Sequence, residues 1–441
     1  MKDLCVIILA AGEGTRMKSE RPKVLHEICG KSMLSHTIKE ALKISDNVIV
    51  VLGHKIELVR QSILAEFSNE CEDAKISIVE QDRASFPGTA GGVMAALNAI
   101  KHENCVISCG DMPLVSADEL LDLACNLAQN DAVVGGFELE NPFGYGRIIT
   151  QNESVLKIVE QKDASESEKA VKLCNSGAYA FKSEILRDLI PKIDNNNASK
   201  EYYFTDSIAL ALKNGKSVGF TTLDSVNFMG VNDKAALAFA EEKMLEKIRE
   251  KWMKNGVIMH LPNTIYIDVL ASFEGECEIE SNCVIKGKTI IKNSVIKSGS
   301  VIENSVIENS DVGPNAHLRP NSEIKGTHIG NFVELKNAKL DGVKAGHLTY
   351  LGDCEIQSGT NIGCGTITCN YDGIKKYKTK IGKNVFVGSD TSFVAPVEIA
   401  DNCIIAAGSV VTKNGKEGEL IITRAKQQNI AGYFEQKFGK K

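Results

Sequence analysis

A period of six in the second half of the chain constrains the fold more than any other feature. Ile381, Val387, Phe393, Ile399, Ile405 and Val411 stand six residues apart. Ile267, Phe273, Ile279, Ile285 and Ile291 keep the same spacing upstream, and Val306, Val312, Leu318 and Ile324 continue it between them. Small residues often follow, as in Ile329-Gly330, Ile381-Gly382 and Val387-Gly388. A helix repeats at about 3.6 residues and a strand at about 2, so neither gives this pattern. A parallel β-helix of triangular section does, because each hexapeptide forms one flat side and turns one corner. Stacked coils bury faces that no side could bury alone. Residues 256–441 are therefore expected to form such a prism. After Thr368 the period lapses through "CNYDGIKKYKTK" and resumes at Ile381. A polar, glycine-containing insertion on a rigid scaffold is placed to reach a ligand or a neighbouring subunit; the alternative is an idle surface loop.

The first half has a different texture. Apolar runs such as "NVIVVLG" and "NCVISCG" alternate with helical patterns such as "PGTAGGVMAALNAI", which predicts an α/β domain with a mostly parallel sheet over 1–231. Between the halves, Leu237, Ala240, Met244, Ile248 and Trp252 form one stripe at helical spacing, so 232–255 is expected to be a connecting helix. Asn232 is placed to cap it and Asn255-Gly256 to stop it. With 441 residues, 43% hydrophobic and 24% charged, the chain has the composition of a multidomain globular protein. A net charge of −6 argues against nucleic acid as a partner. No apolar run reaches the ~18 residues of a membrane span. Asp3 ahead of a short apolar stretch argues against a signal peptide. The 13 cysteines are scattered without a C-x-x-C pair, as expected of reduced thiols in a cytoplasmic protein.

The chemistry of the first half begins at "LAAGEGTRM". A short strand empties into a loop with Gly12 and Gly14, followed by Arg16 and, past Pro22, Lys23. The spacing is neither a dinucleotide fingerprint, since Met17 stands at the third glycine position, nor a Walker loop. Glycine lets backbone N–H groups approach an anion, and fixed cations beside it suit phosphate. The alternative is a tight turn with a surface Arg and Lys.

The motif "LAAGEGTRM…RPKVL" resembles the signature of sugar nucleotidyltransferases. The segments "NFVELKNA", "KAGHLTYLGD", "GCGTITCNYDG", "VFVGSDT" and "IAAGS" resemble the left-handed β-helix of bacterial glucosamine-1-phosphate acetyltransferases. Both halves in this order resemble the family of bifunctional N-acetylglucosamine-1-phosphate uridyltransferase/glucosamine-1-phosphate acetyltransferases, over essentially the whole chain. The resemblance implies a Rossmann-like nucleotidyltransferase domain, a connecting helix and a left-handed parallel β-helix of hexapeptide repeats.

It also implies residue roles. Leu9, Ala10, Ala11, Gly12, Gln81, Gly88, Thr89, Gly146, Glu160, Asn175 and Asn232 would bind the UDP-sugar. Arg16 and Lys23 would handle the nucleotide phosphates, and Asp111 of "SCGDMPL" with Asn232 would hold Mg²⁺. Left to local sequence alone, Asp111 also reads as a turn residue before Met112-Pro113. A sugar-1-phosphate would attack the α-phosphorus of UTP and release pyrophosphate. Two departures from the family pattern stand out. "EQDRASFPGTA" is longer than expected between Gln81 and the Gly-Thr pair, and Cys109 stands where a Tyr is expected.

In the second half, His347 would be the general base for acetyl transfer from acetyl-CoA to glucosamine-1-phosphate. Arg319, Lys336 and Lys376 would pair with the sugar phosphate, and Tyr350, Asn361, Asn370 and Tyr371 would orient sugar and acetyl group. Ser389, Ala407 and Arg424 would line the coenzyme A cleft, with Cys364 beside them as a packing residue rather than a nucleophile. A homotrimer is expected, since a three-sided prism offers flat faces and the loop bearing Lys376 has no evident partner in its own coil.

Overall fold

The computed structural model describes residues 3–151 and 154–439. The chain divides into two compact units, Met1–Met244 and Leu245–Lys441.

In the first unit nine strands form one mixed sheet: β1 (Leu4–Ala10), β2 (Asn47–Leu52), β3 (Ile76–Glu80), β4 (Asn104–Cys109), β5 (Ala132–Glu138), β6 (Arg147–Gln151), β7 (Ser154–Val159), β8 (Leu173–Lys182) and β9 (Val218–Thr222). The order is β9-β5-β8-β4-β1-β2-β3, with the β6–β7 hairpin attached to β8. β1 runs parallel to both β2 and β4, while β8 is antiparallel to β4 and β5. β1, β2 and β4 read as continuous apolar runs because helices cover both faces of a parallel sheet. Residues such as Val6, Ile7, Ile49, Val50 and Val106 are fully buried. The chain moves outward from β1 to β2 and β3 on one side and crosses to β4 on the other. A crevice therefore opens between the carboxyl ends of β1 and β4, where α/β sheets bind ligands.

The second unit is a three-sided parallel β-helix. Its strands fall into sheets of ten, nine and eight, and each sheet takes every third strand in sequence apart from the last step of the ten-stranded one. One interior column runs Phe273, Ile291, Ile307, Ile324, Leu340, Ile356, Ile381, Ile399. This is the stacking of a left-handed β-helix built from hexapeptide repeats.

The period of six needs one correction. Val306 points outward and Ile307 fills the interior. Between Ile291 and Ile356 several sides have five residues rather than six, as in Ile291 to Ile296 and Ile302 to Ile307. Each short side turns on a single left-handed residue, such as Asn293, Asn304 or Asn309, followed by a small buried one, Ser294, Ser305 or Ser310. Asn tolerates that conformation at little cost. The spacing that seemed to include Val306 is a five-residue side read one position out of register.

The connecting helix spans Lys234–Lys254 and ends at Gly256, whose φ is +95°. Its cap is Asp233, not Asn232: the Asp233 carboxylate accepts the Ala236 N–H at 2.8 Å. The Asn232 side chain is turned elsewhere, as described next.

Candidate active sites

The first site lies in the crevice of the mixed sheet, a cavity of about 350 Å³. Leu9, Ala10, Ala11 and Gly12 leave the end of β1 and form its floor, with Lys23, Gln81, Gly88, Thr89 and Asp111 around it. Lys23 is held at the centre. Its ammonium pairs with the Asp111 carboxylate and donates to Asn232 Oδ1 at 3.0 Å. Lys23 reaches there across Gly14, where φ is +69° and a Cβ would come within 2.5 Å of Lys23 Cβ. Gly14 thus makes room for the lysine, whereas Gly12 faces open space. The Asp111 and Asn232 oxygens converge on one cation, the Lys23 ammonium. Two hard oxygen donors aimed at one point fit Mg²⁺, which takes few protein ligands and completes its shell with phosphate and water.

Gln81 is buried and its amide donates to the carbonyls of Phe86 at 2.9 Å and Gly88 at 2.8 Å. The segment longer than the family pattern is thereby folded into a compact turn. Gly88 is required by close approach: at φ +99° its Cβ would meet the Tyr202 carbonyl at 2.6 Å. Thr89 accepts the Phe204 N–H at 3.0 Å. Burial, reinforced by the Asp111 carboxylate, pushes the Cys109 thiol up to about 12, so it stays neutral and inert.

Gly146, Glu160 and Asn175 are brought together beside β8. The Asn175 N–H donates to the Gly146 carbonyl at 2.9 Å, and a Cβ at Gly146 would stand 3.5 Å from both Asn175 Cβ and Glu160 Oε2. Burial raises the Glu160 pKa, partly offset by the Thr205 hydroxyl at 3.2 Å. Arg16 is exposed in the short turn Thr15–Met17 and does not line the cavity. Three charged lining residues were not singled out from sequence: Glu13, Arg83 and Glu201. Only Glu13 carried a signal, as the acid between two loop glycines.

The second site spans one side of the prism. His347 is exposed at the start of that side, and Asn331 is its register partner on the preceding coil. The same corner continues upward. The Cys364 carbonyl accepts the Asp390 N–H at 2.7 Å, the Ser389 carbonyl the Gly408 N–H at 2.8 Å, and the Ala407 carbonyl the Arg424 guanidinium at 2.8 Å. His347, Cys364, Ser389, Ala407 and Arg424 thus climb one corner in successive coils.

At the far end of the side a positive cluster forms. Lys376 beside it, and then the Arg319 guanidinium, hold the Lys336 ammonium below the usual lysine range. Like charges kept together on a surface suit an anion. Glu334, unforeseen from sequence, pairs with Arg319 at 3.1 Å. Tyr350 and Asn370 meet over Gly352, where a Cβ would lie 2.4 Å from the Tyr350 hydroxyl and 2.8 Å from Asn370 Nδ2. Asn370 is buried and donates to Asp353. Tyr371 is exposed in the inserted loop, pinned by its hydroxyl to the Gly373 carbonyl. Asn361 sits apart on the adjoining sheet, in register with Lys344 and Phe386.

A phosphate-handling crevice on a mixed α/β sheet, followed by a hexapeptide β-helix, defines a nucleotidyltransferase joined to an acyltransferase. Residues 6–165 match the MobA-like NTP transferase domain and residues 378–413 the bacterial transferase hexapeptide of six repeats. The chain is 58% identical over 440 residues to the bifunctional protein GlmU of Campylobacter fetus subsp. fetus, covering 100% of this chain and 99% of that one. It is 56% identical to the GlmU of Campylobacter concisus (99% and 98% covered) and 55% to that of Campylobacter jejuni strain RM1221 (99% and 99%). The chain belongs to the GlmU family, with a uridyltransferase domain and a hexapeptide acetyltransferase domain in one polypeptide.

Proposed function

We propose that the protein acetylates glucosamine-1-phosphate with acetyl-CoA and then transfers a uridylyl group from UTP to the N-acetylglucosamine-1-phosphate, giving UDP-N-acetylglucosamine and pyrophosphate. The observation that carries the first half of this reading is the Lys23–Asp111–Asn232 constellation at the mouth of the parallel strands. Phosphoryl chemistry needs positioning and charge neutralisation more than a nucleophilic side chain. Asp111 and Asn232 would hold Mg²⁺, which supplies neutralisation of phosphate charge. Lys23, released from Asp111, would meet the α-phosphate. Gln81, Gly88 and Thr89 would receive the base, and Gly146, Glu160 and Asn175 the acetylated sugar. Arg16, outside the cavity, would act on the phosphates only after its turn closes over them.

In the second site His347 would take the proton from the attacking amine. The Arg319–Lys336–Lys376 cluster would seat the sugar phosphate at the other end of the same side, with Tyr350, Asn361, Asn370 and Tyr371 near the sugar. The corner column of Ser389, Ala407 and Arg424 would take coenzyme A. Its exposed loop and apolar outer residues support a homotrimer. Among the described residues no helix is long and apolar enough to cross a membrane; we place the enzyme in the cytoplasm, in keeping with its scattered free cysteines. Domain limits of 1–231, 232–255 and 256–441 fit this division of labour.

The test is product analysis by mass spectrometry after incubation with glucosamine-1-phosphate, acetyl-CoA, UTP and Mg²⁺. UDP-N-acetylglucosamine and pyrophosphate are expected. His347→Ala should lose acetyl transfer by the ~10²–10⁴-fold typical of general-base removal while uridylyl transfer persists. Acetylation at the wild-type rate by that variant would refute the role of His347.

A further inference from the structure

The rim of the nucleotide cavity holds a cation with no role so far, Arg83. It is carried on a turn that is closed by its own bonds. Asp82 Oδ1 accepts the N–H groups of Ala84 and Ser85 at 3.1 Å, and the Phe86 N–H returns to the Asp82 carbonyl at 2.9 Å. The Arg83 stem crosses Gly53, where a Cβ would stand 2.7 Å from Arg83 Cδ and 2.8 Å from Ala11 Cβ. Its guanidinium ends 3.8 Å from the carboxylate of Glu13, between the two loop glycines.

Depth separates the cavity's two lysine and arginine cations. Lys23 and Asp111 are 11% and 17% exposed, whereas Arg83 and Glu13 are 38% and 53% exposed. An ion pair so long and so exposed is weak, so exchanging it costs little. A guanidinium–phosphate contact is bidentate and charge-assisted. Glu13 left alone on a phosphate-binding loop would repel the ligand it faces.

We propose that Arg83 is a substrate-specificity residue that leaves Glu13 for the outer phosphates of the nucleoside triphosphate. It would then bind the part of UTP that departs as pyrophosphate, while Lys23 at the buried end meets the α-phosphate. This inference rests on the uridylyl-transfer reading.

Isothermal titration of the full chain with UTP, pyrophosphate and UDP-N-acetylglucosamine, each with Mg²⁺, tests it without needing turnover. Arg83→Ala should weaken UTP and pyrophosphate by about tenfold or more, the loss typical of a charged hydrogen-bonded contact. UDP-N-acetylglucosamine, which lacks the outer phosphates, should bind as before. Arg83→Lys should restore part of the loss, and Glu13→Gln should tighten UTP. An equal loss for UTP and UDP-N-acetylglucosamine with pyrophosphate binding unchanged would place Arg83 on the shared uridine monophosphate and overturn the proposal. Unchanged UTP binding in Arg83→Ala would overturn it too. If the wild type binds none of the three, it is the uridylyl-transfer reading that fails.

Discussion

At the scale of single residues, the nucleotide site turns on how Lys23 is placed. Lys23→Ala should slow pyrophosphate release from UTP and N-acetylglucosamine-1-phosphate by about 10²–10³-fold, as loss of a preorganised charge contact does. A coupled pyrophosphate assay measures this, and acetylation by the same variant is the control. Gly14→Ala would force a Cβ against Lys23 at a left-handed φ. It should cost more than about 1 kcal/mol of stability in denaturant titration, because the new side chain cannot adopt that backbone without strain. Thiol chemistry gives a further check. Exposed Cys125 should react with iodoacetamide at pH 8, whereas Cys109, pushed up to about 12, should not. Sequence made Gly12 and Lys23 legible because strand, glycine loop and charge lie close together in the chain, whereas Asp111, 88 residues beyond Lys23, was reached only through the family resemblance. It hid Arg83, because nothing in a lone arginine on a polar stretch shows that Gly53, thirty residues earlier, leaves a gap for its stem. It misassigned the cap of the connecting helix for a related reason. Asn232 and Asp233 are equally good caps in one dimension, and only the pull of Lys23 on Asn232 separates them.

Among the elements, the inserted loop and the first long helix carry the clearest expectations. The loop leaves the prism after Cys369 and returns at Thr379, whose N–H bonds the Asp353 carbonyl at 3.1 Å. Ile356 and Ile381 then stack as if nothing intervened. Replacing 372–375 by a short glycine link should therefore leave the melting of the β-helix nearly unchanged while acetyl transfer falls, since Tyr371 and Lys376 lose their geometry. A collapse of the β-helix in that variant would show the loop to be part of the scaffold. His36, on the helix Met33–Leu42, gives a pH signature. Burial holds it below its ordinary 6.5, opposed by its bond to the Ile28 carbonyl at 2.9 Å. The unfolded chain takes up the proton first, so the native state loses stability as pH falls through about 6.5 toward the folded value. Calorimetry from pH 8 to pH 5 should show this loss in the wild type and a flatter profile in His36→Gln. The hexapeptide strands themselves were readable, because apolar residues recurring six apart fit neither a helix nor a plain strand. The five-residue sides were not, since a shift of one residue lies within the tolerance of a period-six search until the Asn-Ser corners are recognised.

For the whole molecule, the three sides of the prism are unlike. One carries charge ladders that satisfy themselves, with Lys292 on Glu274 at 2.7 Å, Lys339 on Glu323 at 3.1 Å and Lys380 on Glu398 at 2.7 Å. Another exposes Phe386, Ile404 and Leu420 in register on successive coils. In the proposed trimer this apolar stripe would be the surface that closed symmetry covers. Light scattering should give three times the chain mass of 47.8 kDa. Phe386→Glu with Ile404→Glu should dissociate the assembly and depress acetyl transfer, leaving uridylyl transfer intact; an unchanged mass would move the interface elsewhere. The mixture of five- and six-residue sides has a consequence for how such a chain changes over generations. In most sheets a lost codon reverses every side chain beyond it. Here a corner of two residues can become a corner of one, provided a left-handed Asn or Gly and a small buried residue remain. Length itself is then a heritable variable in this prism, open to drift one codon at a time while the interior column stays in step.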